Sequence, residues 1–343
     1  MLPGRLPAGR GERKGLVVSG RRSRPETTDF LRALHELNGG MRTMKTEWIP
    51  TNEYYHRILA APDEETRRQL YLDLLVQPWK PMLDMFSAAP GSDPGDPLAG
   101  ARAWAWLLPD QTAEMAALLE KLEVADAWTA GKDALAEAAA RFDPLAGKIP
   151  FDTVTGWLAL ADPARSNPYE RGYTGATDWT QPRFIGQFWE PNEDNLARLP
   201  GLVAHEMHHL VRLRVFPWDM YKTSVADYIV LEGTAESFAA SLFGADKVGF
   251  FITEFDAQEL ETARRLVGQG LQATGFDAIR GYIFGDALAE RSGFRPVGGM
   301  PLYGGYAIGY RTVQAFLARS GLSIEEATFL PSEEIVRGSG FFD

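Results

Sequence analysis

The chain has 343 residues, no cysteine and a formal net charge of −11. The missing cysteines exclude disulfide bonds and thiolate metal sites, and the acidic balance argues against nucleic acid as a partner, because phosphate binding needs a basic surface. No apolar stretch approaches the about 18–20 residues that a membrane-spanning helix needs, and none forms a signal-peptide core. We therefore expect a cytoplasmic protein that does not enter a membrane.

Residues 1–43 are predicted to form a disordered basic tail, because they are rich in Gly, Pro and Arg and lack hydrophobic periodicity. They hold nine Lys or Arg and four Asp or Glu, whereas the remaining 300 residues hold 26 and 42. Met41 and Met44 follow a Gly-Gly pair, which favours one of them as the natural start and the tail as a start-site extension. A basic arm that binds an acidic partner is the alternative.

Residues 44–145 are predicted to form a helical N-terminal region. Amphipathic stretches between turn signals indicate helices at 53–60, 62–86, 111–123 and 126–142. Residues 87–99 are rich in Pro and Gly and contain Gly-Ser-Asp turn chemistry, so they are predicted to form a loop.

Residues 146–343 are predicted to form a second domain with a different pattern. Apolar and β-branched runs indicate strands at 149–155, 156–161 and 183–190, and the polar, Gly-containing stretch before 183 is predicted to be a loop. The remaining sequence indicates helices at 194–214, 223–243, 254–273, 275–288 and 308–319. Together the elements predict an α+β fold that is mostly helical, with a small antiparallel sheet.

The most informative motif is the run His205-Glu206-Met207-His208-His209. On a helix, the i, i+4 spacing places the imidazoles of His205 and His209 on one face, so both can bind a single zinc ion. Glu206 follows the first His and can accept a proton from an attacking water. Apolar flanks indicate a buried helix, in which these polar groups would be costly without a metal. His208 is expected to support the ligands from outside the coordination sphere or to pack in the core.

A carboxylate is predicted as the third zinc ligand, because no His follows residue 209. Glu232 and Glu236 lie at i and i+4 in the next predicted helix, so they share a face. One of them can bind zinc while the other anchors a ligating His through its second ring nitrogen. Gly233 and Ala235 are expected to leave room for a close approach to the His helix.

The run His205-Glu206-x-x-His209 followed by Glu232-Gly-x-Ala resembles the gluzincin pattern of aminopeptidases and thermolysin-like enzymes. The resemblance implies that Glu232 is the third zinc ligand. Twenty-two residues separate His209 from Glu232, a few more than in those enzymes, which keeps Glu236 as a competitor.

The sequence is more closely similar to a bacterial family of predicted zinc-dependent proteases, known as a domain of unknown function. The similarity rests on three ordered runs and covers roughly residues 145–320; the runs lie at 204–212, 232–236 and 305–313. It implies a zincin-like catalytic domain at 146–343, with an active-site helix and a zinc hydrolase site, and it implies no substrate.

The third run contains Tyr306 and Tyr310 at i and i+4, near the start of a predicted helix. Zinc peptidases need a donor for the oxyanion that forms at the scissile carbonyl, and either hydroxyl is a candidate, with packing against the core as the alternative. In zincin-like folds an edge strand above the active-site helix pairs with an extended peptide. By this fold analogy, the strand at 183–190 is the candidate.

These residues predict a zinc metallopeptidase with one Zn²⁺ per chain, held by His205, His209 and Glu232, and with Glu206 as general base. Its partner would be a peptide or protein substrate. A zinc hydrolase of a non-peptide amide or ester would use the same centre. A non-catalytic, metal-binding interaction protein is the third hypothesis, in which His208 or Glu236 closes the site as a fourth ligand.

Overall fold

Four strands form one sheet in the computed structural model, which describes residues 43–87 and 95–343. They are β1 (Lys45–Trp48), β2 (Thr153–Leu160), β3 (Tyr173–Thr177) and β4 (Arg183–Phe188), in the spatial order β1-β2-β4-β3. β1 and β4 run parallel to β2, and β3 runs antiparallel to β4. The predicted α+β class is confirmed, but the sheet is mixed, so the prediction of an antiparallel sheet is wrong.

The connections between strands explain this mixed topology. A long helical crossover joins β1 to β2, as parallel neighbours require, whereas residues 178–182 alone join β3 to β4. β3 lies in a stretch predicted to be a loop, because Gly175 and its polar neighbours hide the strand pattern. Since β3 is the last strand at its edge, β4 is internal. The prediction that the strand at 183–190 forms the peptide-binding edge is therefore wrong.

The chain between β1 and β2 is helical, as predicted. Its helices are α1 (Thr51–Leu59), α2 (Glu64–Tyr71), α3 (Lys80–Ser87), α4 (Ala99–Ala103), α5 (Thr112–Val124) and α6 (Ala127–Arg141), followed by a 3-10 turn at Asp143–Lys148. The predicted helix at 62–86 is interrupted near Pro78, which lacks a backbone N–H, by a π-helical turn and a 3-10 turn. The predicted tail at 1–43 lies outside the described residues except for Thr43, and the predicted loop at 87–99 is described only in part.

A second set of helices follows β4. They are α7 (Glu193–Ala197), α8 (Leu199–Val215), α9 (Val225–Phe243), α10 (Phe250–Thr253), α11 (Leu260–Gly270), α12 (Phe276–Phe284), α13 (Asp286–Arg291), α14 (Gly304–Ser320), α15 (Ile324–Ala327) and α16 (Ser332–Ser339). The predicted helix at 275–288 divides into α12 and α13 at Gly285, whose φ of +85° favours glycine. α14 begins before the predicted residue 308.

One continuous hydrophobic core joins the two predicted regions, 44–145 and 146–343. Trp48 of β1 packs on α6, where a Cβ added to Gly131 would come within 3.0 Å of the indole ring. The backbone N–H of Met44 donates to Oδ1 of Asp143 at 2.9 Å. The described residues therefore pack as one compact unit, and the predicted border at 145 falls inside it. No described helix is both long and apolar enough to cross a membrane.

Candidate metal centre and cleft

The His motif lies in the middle of α8, and every residue from Val203 to Arg212 is buried. Strands β3 and β4 contact one side of this helix, and α6 and α9 contact the others. A cleft of about 450 Å³ opens along α8 between β3 and α9. The cleft therefore gives a ligand access to polar side chains that the fold otherwise shields from solvent.

Three side chains converge at the base of the cleft. Nε2 of His205 and Nε2 of His209 each lie 3.3 Å from Oε2 of Glu232. The centroids of the two imidazole rings lie 4.4 Å apart, as the i, i+4 spacing predicts. Burial alone would raise the pKa of Glu232, but the two neighbouring imidazoles outweigh it and lower the pKa to about 2. A carboxylate and two imidazoles therefore face one another across a small buried space.

This arrangement fits a zinc ion. The candidate ligand atoms of His205, His209 and Glu232 all lie within 4.8 Å of one another. Tetrahedral zinc, with bonds of about 2.0–2.1 Å, separates its ligand atoms by about 3.3 Å, which matches the two nitrogen–oxygen distances. Oε2 of Glu232 is buried and makes no hydrogen bond within the described part of the chain. A metal ion at this position would satisfy it.

Glu236 contacts the other side of the first His. Its Oε1 lies 3.0 Å from Nδ1 of His205, and its Oε2 accepts a hydrogen bond of 3.0 Å from the backbone N–H of Gly249. Burial would lower the pKa of His205, but Glu236 and then Glu232 outweigh it and raise the pKa well above its ordinary value. Of the two carboxylates on α9, Glu232 thus faces both imidazoles, whereas Glu236 orients the ring of His205.

Glu206 lies beneath the edge strand β3. The hydroxyl of Thr177 donates to Oε2 of Glu206 at 2.8 Å. A Cβ added to Gly175 would come within 3.0 Å of Oε1, so the strand backbone rests directly on the carboxylate. Burial raises the pKa of Glu206, and His205 and His209 partly oppose this. A carboxylate with a raised pKa is a stronger base at neutral pH.

Two glycines bring the Tyr-containing helix α14 against α9. A Cβ on Gly233 would come within 3.0 Å of the carbonyl oxygen of Gly309, and a Cβ on Gly309 within 3.0 Å of the carbonyl oxygen of Ile229. The expectation that Gly233 allows the His helix to approach is therefore wrong. The residue lets α14 approach instead, which places Tyr306 in the cleft close to Glu232.

The two candidate tyrosines have different surroundings. Tyr306 lines the cleft; burial, followed by the charge of Glu232, raises its pKa well above the ordinary value. Tyr310 is half-buried and does not line the cleft. Burial, followed by the charge of Glu236, raises its pKa as well. Of the two candidates, Tyr306 is thus the one that lines the cleft.

His208 points away from the other motif residues. Its Nε2 lies 2.9 Å from the hydroxyl of Thr328, and its ring packs beside Phe142 and Phe238. Burial lowers its pKa well below the ordinary value, so the ring is neutral. Of the two roles expected for His208, these contacts fit packing in the core and not support of the ligands.

Sequence reasoning missed several residues that line the cleft. Tyr228 lies one helical turn before Glu232 on α9, and that i, i+4 spacing is the signal that could have identified it. Gly175 and Thr177 gave no such signal, because their strand resembles a loop. Glu170 and Arg280 are remote from every motif, and only the fold brings them to the cleft.

Comparisons with known proteins show the family to which the chain belongs. A family model described as "Predicted Zn-dependent protease (DUF2268)" matches residues 127–337. The "Uncharacterized protein YjfC" of Bacillus subtilis (strain 168) is 38% identical over 185 residues, which cover 54% of this chain and 60% of that protein. The chain thus spans less than two thirds of that relative's length, and no solved structure matches. Because the family model covers more than half of the chain and includes every residue of the candidate centre, the protein belongs to this family of predicted zinc-dependent proteases.

Proposed function

We propose that the protein is a zinc-dependent metallopeptidase. One observation carries the proposal: His205, His209 and Glu232 direct three ligand atoms to one point, with the carboxylate of Glu206 beside them in the same cleft. Two imidazoles with one carboxylate form a ligand set that suits a catalytic zinc ion. When bound there, zinc would supply a Lewis acid that polarises a carbonyl and acidifies water.

An open coordination position is what separates a catalytic zinc site from a structural one. Closure would need a fourth protein ligand, and His208 and Glu236 are the side chains whose spacing offers one. His208 contacts Thr328 instead, and Glu236 contacts the outer nitrogen of His205. These contacts support a centre with three protein ligands and room for a substrate.

Glu206 would act as the general base. Thr177 holds one carboxylate oxygen, so the other can take a proton from the attacking water and later give it to the leaving amine. The hydroxyl of Tyr306 would donate a hydrogen bond to the oxygen that becomes negative during attack on the carbonyl. Tyr228, which lines the same cleft, would limit the entry of water from the α9 side.

The edge strand β3 supports a peptide as the substrate. It ends the sheet directly above Glu206, and an extended peptide could extend the sheet there through main-chain hydrogen bonds. Such pairing would hold a peptide bond over the metal centre without requiring a particular side chain. A peptide or protein is therefore the proposed substrate class.

Metal content and hydrolysis test this function together. The full-length chain would be compared with His209→Ala, Glu206→Gln and the matched control His56→Ala, in which an exposed histidine outside the cleft is removed. We expect about one zinc per chain in wild type, Glu206→Gln and His56→Ala, and loss of zinc in His209→Ala. We expect Glu206→Gln alone to keep zinc and lose hydrolysis of a peptide library by about 10²–10⁴-fold.

Two results would contradict the proposal. A wild-type protein that binds no zinc, even when zinc is added, would exclude a zinc enzyme. A zinc-loaded Glu206→Gln protein with wild-type hydrolysis would exclude Glu206 as the base.

A further inference from the structure

Arg280 of α12 is a half-buried cation that lines the cleft. Its guanidinium carbon lies 4.1, 4.8 and 5.3 Å from the ring centroids of Phe276, Phe294 and Phe284. Its Nε is buried without a hydrogen-bond partner, and none of the described residues forms an ion pair with the group. A guanidinium carries a positive charge, so a cation without an acidic partner among the described residues lines the cleft.

The other cations of the cleft differ from Arg280 in this respect. Arg198 lies 3.2 Å from the carboxylate of Asp194 and donates to the carbonyl oxygen of Val248 at 2.6 Å. Lys247 lies 3.2 Å from Asp246. Their charges are already matched within the protein, whereas buried polar groups without partners are uncommon in native folds. Among the arginines and lysines that line the cleft, Arg280 is therefore the one whose charge is left for a group on the ligand.

A chain of aromatic contacts locates Arg280 along the cleft. Trp179 follows the last residue of β3 closely in sequence and stacks on Trp218 at 5.9 Å, and Trp218 contacts the ring of Phe276 at 6.5 Å. Arg280 lies over that same Phe276 ring. Contacts through Phe276 and Trp218 thus connect Arg280 with the segment that follows the C-terminal end of β3.

We propose that Arg280 is a specificity-determining residue that binds a carboxylate group of the peptide substrate. The planar guanidinium matches the two oxygens of a carboxylate, and three phenylalanine rings hold it in place before the ligand arrives. The inference rests on the proposed peptidase function, because it assumes a peptide along β3. In a peptide that runs antiparallel to β3, the residues before the cleaved bond lie at this end, so the carboxylate belongs to an Asp or Glu side chain. In a peptide that runs parallel to β3, the residues after the cleaved bond lie at this end, so the carboxylate would be that of the peptide's C-terminus.

Peptide binding without cleavage tests this inference. Zinc-loaded full-length Glu206→Gln protein would be titrated with labelled peptides in which a single Glu, or a single Gln, is moved along a neutral sequence. Each peptide would be made with a free and with an amidated C-terminus. The same titrations would use proteins that also carry Arg280→Gln, Arg280→Lys or the control Arg291→Gln, which removes an exposed arginine outside the cleft.

With Arg280 intact, we expect one Glu position to bind about 10- to 100-fold more tightly than its Gln counterpart. That ratio should fall to about one in Arg280→Gln, take an intermediate value in Arg280→Lys and be retained in Arg291→Gln. A discrimination that follows the free C-terminus instead identifies the other source of the carboxylate and still supports the inference. The ratio compares two peptides on one protein, so a general loss of folding cannot imitate this result.

An equal affinity for all peptides with Arg280 intact would overturn the inference, and so would a preference that survives Arg280→Gln. Failure of every peptide to bind at millimolar concentration would overturn it too. Hydrolysis by the wild-type enzyme, measured in parallel, reports separately on the proposed function. A protein that binds acidic peptides through Arg280 but cleaves none would contradict the peptidase proposal alone.

Discussion

The backbone of Gly175 lies directly against the carboxylate of Glu206, so closely that a Cβ at position 175 would come within 3.0 Å of Oε1. The strand that would pair with a peptide therefore also fixes the position of the proposed base. Substrate binding and proton transfer depend on the same short piece of backbone.

Gly175→Ala should displace the carboxylate of Glu206 or push β3 away from α8. Proton transfer requires hydrogen-bond reach, so we expect hydrolysis to fall by about 10²-fold or more. The three atoms nearest to a Cβ at position 175 all belong to Glu206 and none to His205, His209 or Glu232, so the zinc content should stay at the wild-type level. Kinetics and metal analysis on the same preparation check this, and loss of zinc together with activity would contradict it.

Glu236→Gln should weaken zinc binding without abolishing it. The carboxylate of Glu236 lies 3.0 Å from Nδ1 of His205, and such partners of a ligating imidazole typically contribute 10–100-fold, roughly, to metal affinity. Competition with a zinc chelator measures the change. An unchanged zinc affinity would mean that the packing of α8 alone orients His205.

Tyr306→Phe should lower the kcat of peptide hydrolysis by about 10²–10³-fold, because it removes one donor to the developing oxyanion. Tyr310→Phe is the matched control, since it removes the same atom one turn along α14 from a side chain outside the cleft. We expect this control to change kcat little. Equal effects of the two substitutions would assign both tyrosines to packing.

Gly309→Ala should destabilise the fold. Alanine favours a helix over glycine by about 1 kcal/mol, but here the added methyl group meets the carbonyl of Ile229, and both backbones are fixed. Overpacking of this kind costs about 1–3 kcal/mol, so a net loss is expected. Gly147→Ala is the control, because a Cβ there meets nothing within 4 Å. Denaturant unfolding of both variants tests the comparison, and equal midpoints would exclude a tight contact between α9 and α14.

Glu170 should make stability depend on pH. Burial raises its pKa from 4.5 to about 7, and the amide of Asn167 offsets this only in part. Between these values the folded protein holds a proton that the unfolded chain has released, so stability falls as the pH rises through this window. Glu170→Gln removes the effect. We expect the variant to gain about 3 kcal/mol on wild type between about pH 4 and pH 8, measured by denaturant unfolding. A difference that does not change with pH would contradict this.

The local spacing of residues predicted most of the candidate metal ligands on α8 and α9. Periodicity alone places His205 and His209 on one face, because a helix leaves no other geometry at i, i+4. The sequence left two carboxylates as competing ligands, since Glu232 and Glu236 share a face. Only the position of α9 relative to α8 separates them, and that position is a property of the packed core.

Contacts between distant segments could not be predicted. Gly233 indicated that another helix approaches α9 closely, but residue spacing does not identify that helix. In the structure it is α14 and not α8. β3 was hidden because short edge strands with Gly and Thr look like loops until a partner strand pairs with them. Arg280 belongs to no sequence motif, and its position among aromatic rings is evident only in the structure.

The pairing of β1 with β2 has a consequence for the synthesis of the protein. Glu47 and its neighbour Thr155 are 108 positions apart in the chain. At about 5–20 residues per second, β1 leaves the ribosome about 5–20 s before its partner exists. An unpaired strand can pair with a strand of another nascent chain and so aggregate. β1 carries the exposed residues Lys45 and Glu47, whose charges oppose such contacts. The charged side chains of β1 therefore favour its solvation as an unpaired strand until β2 has been synthesised.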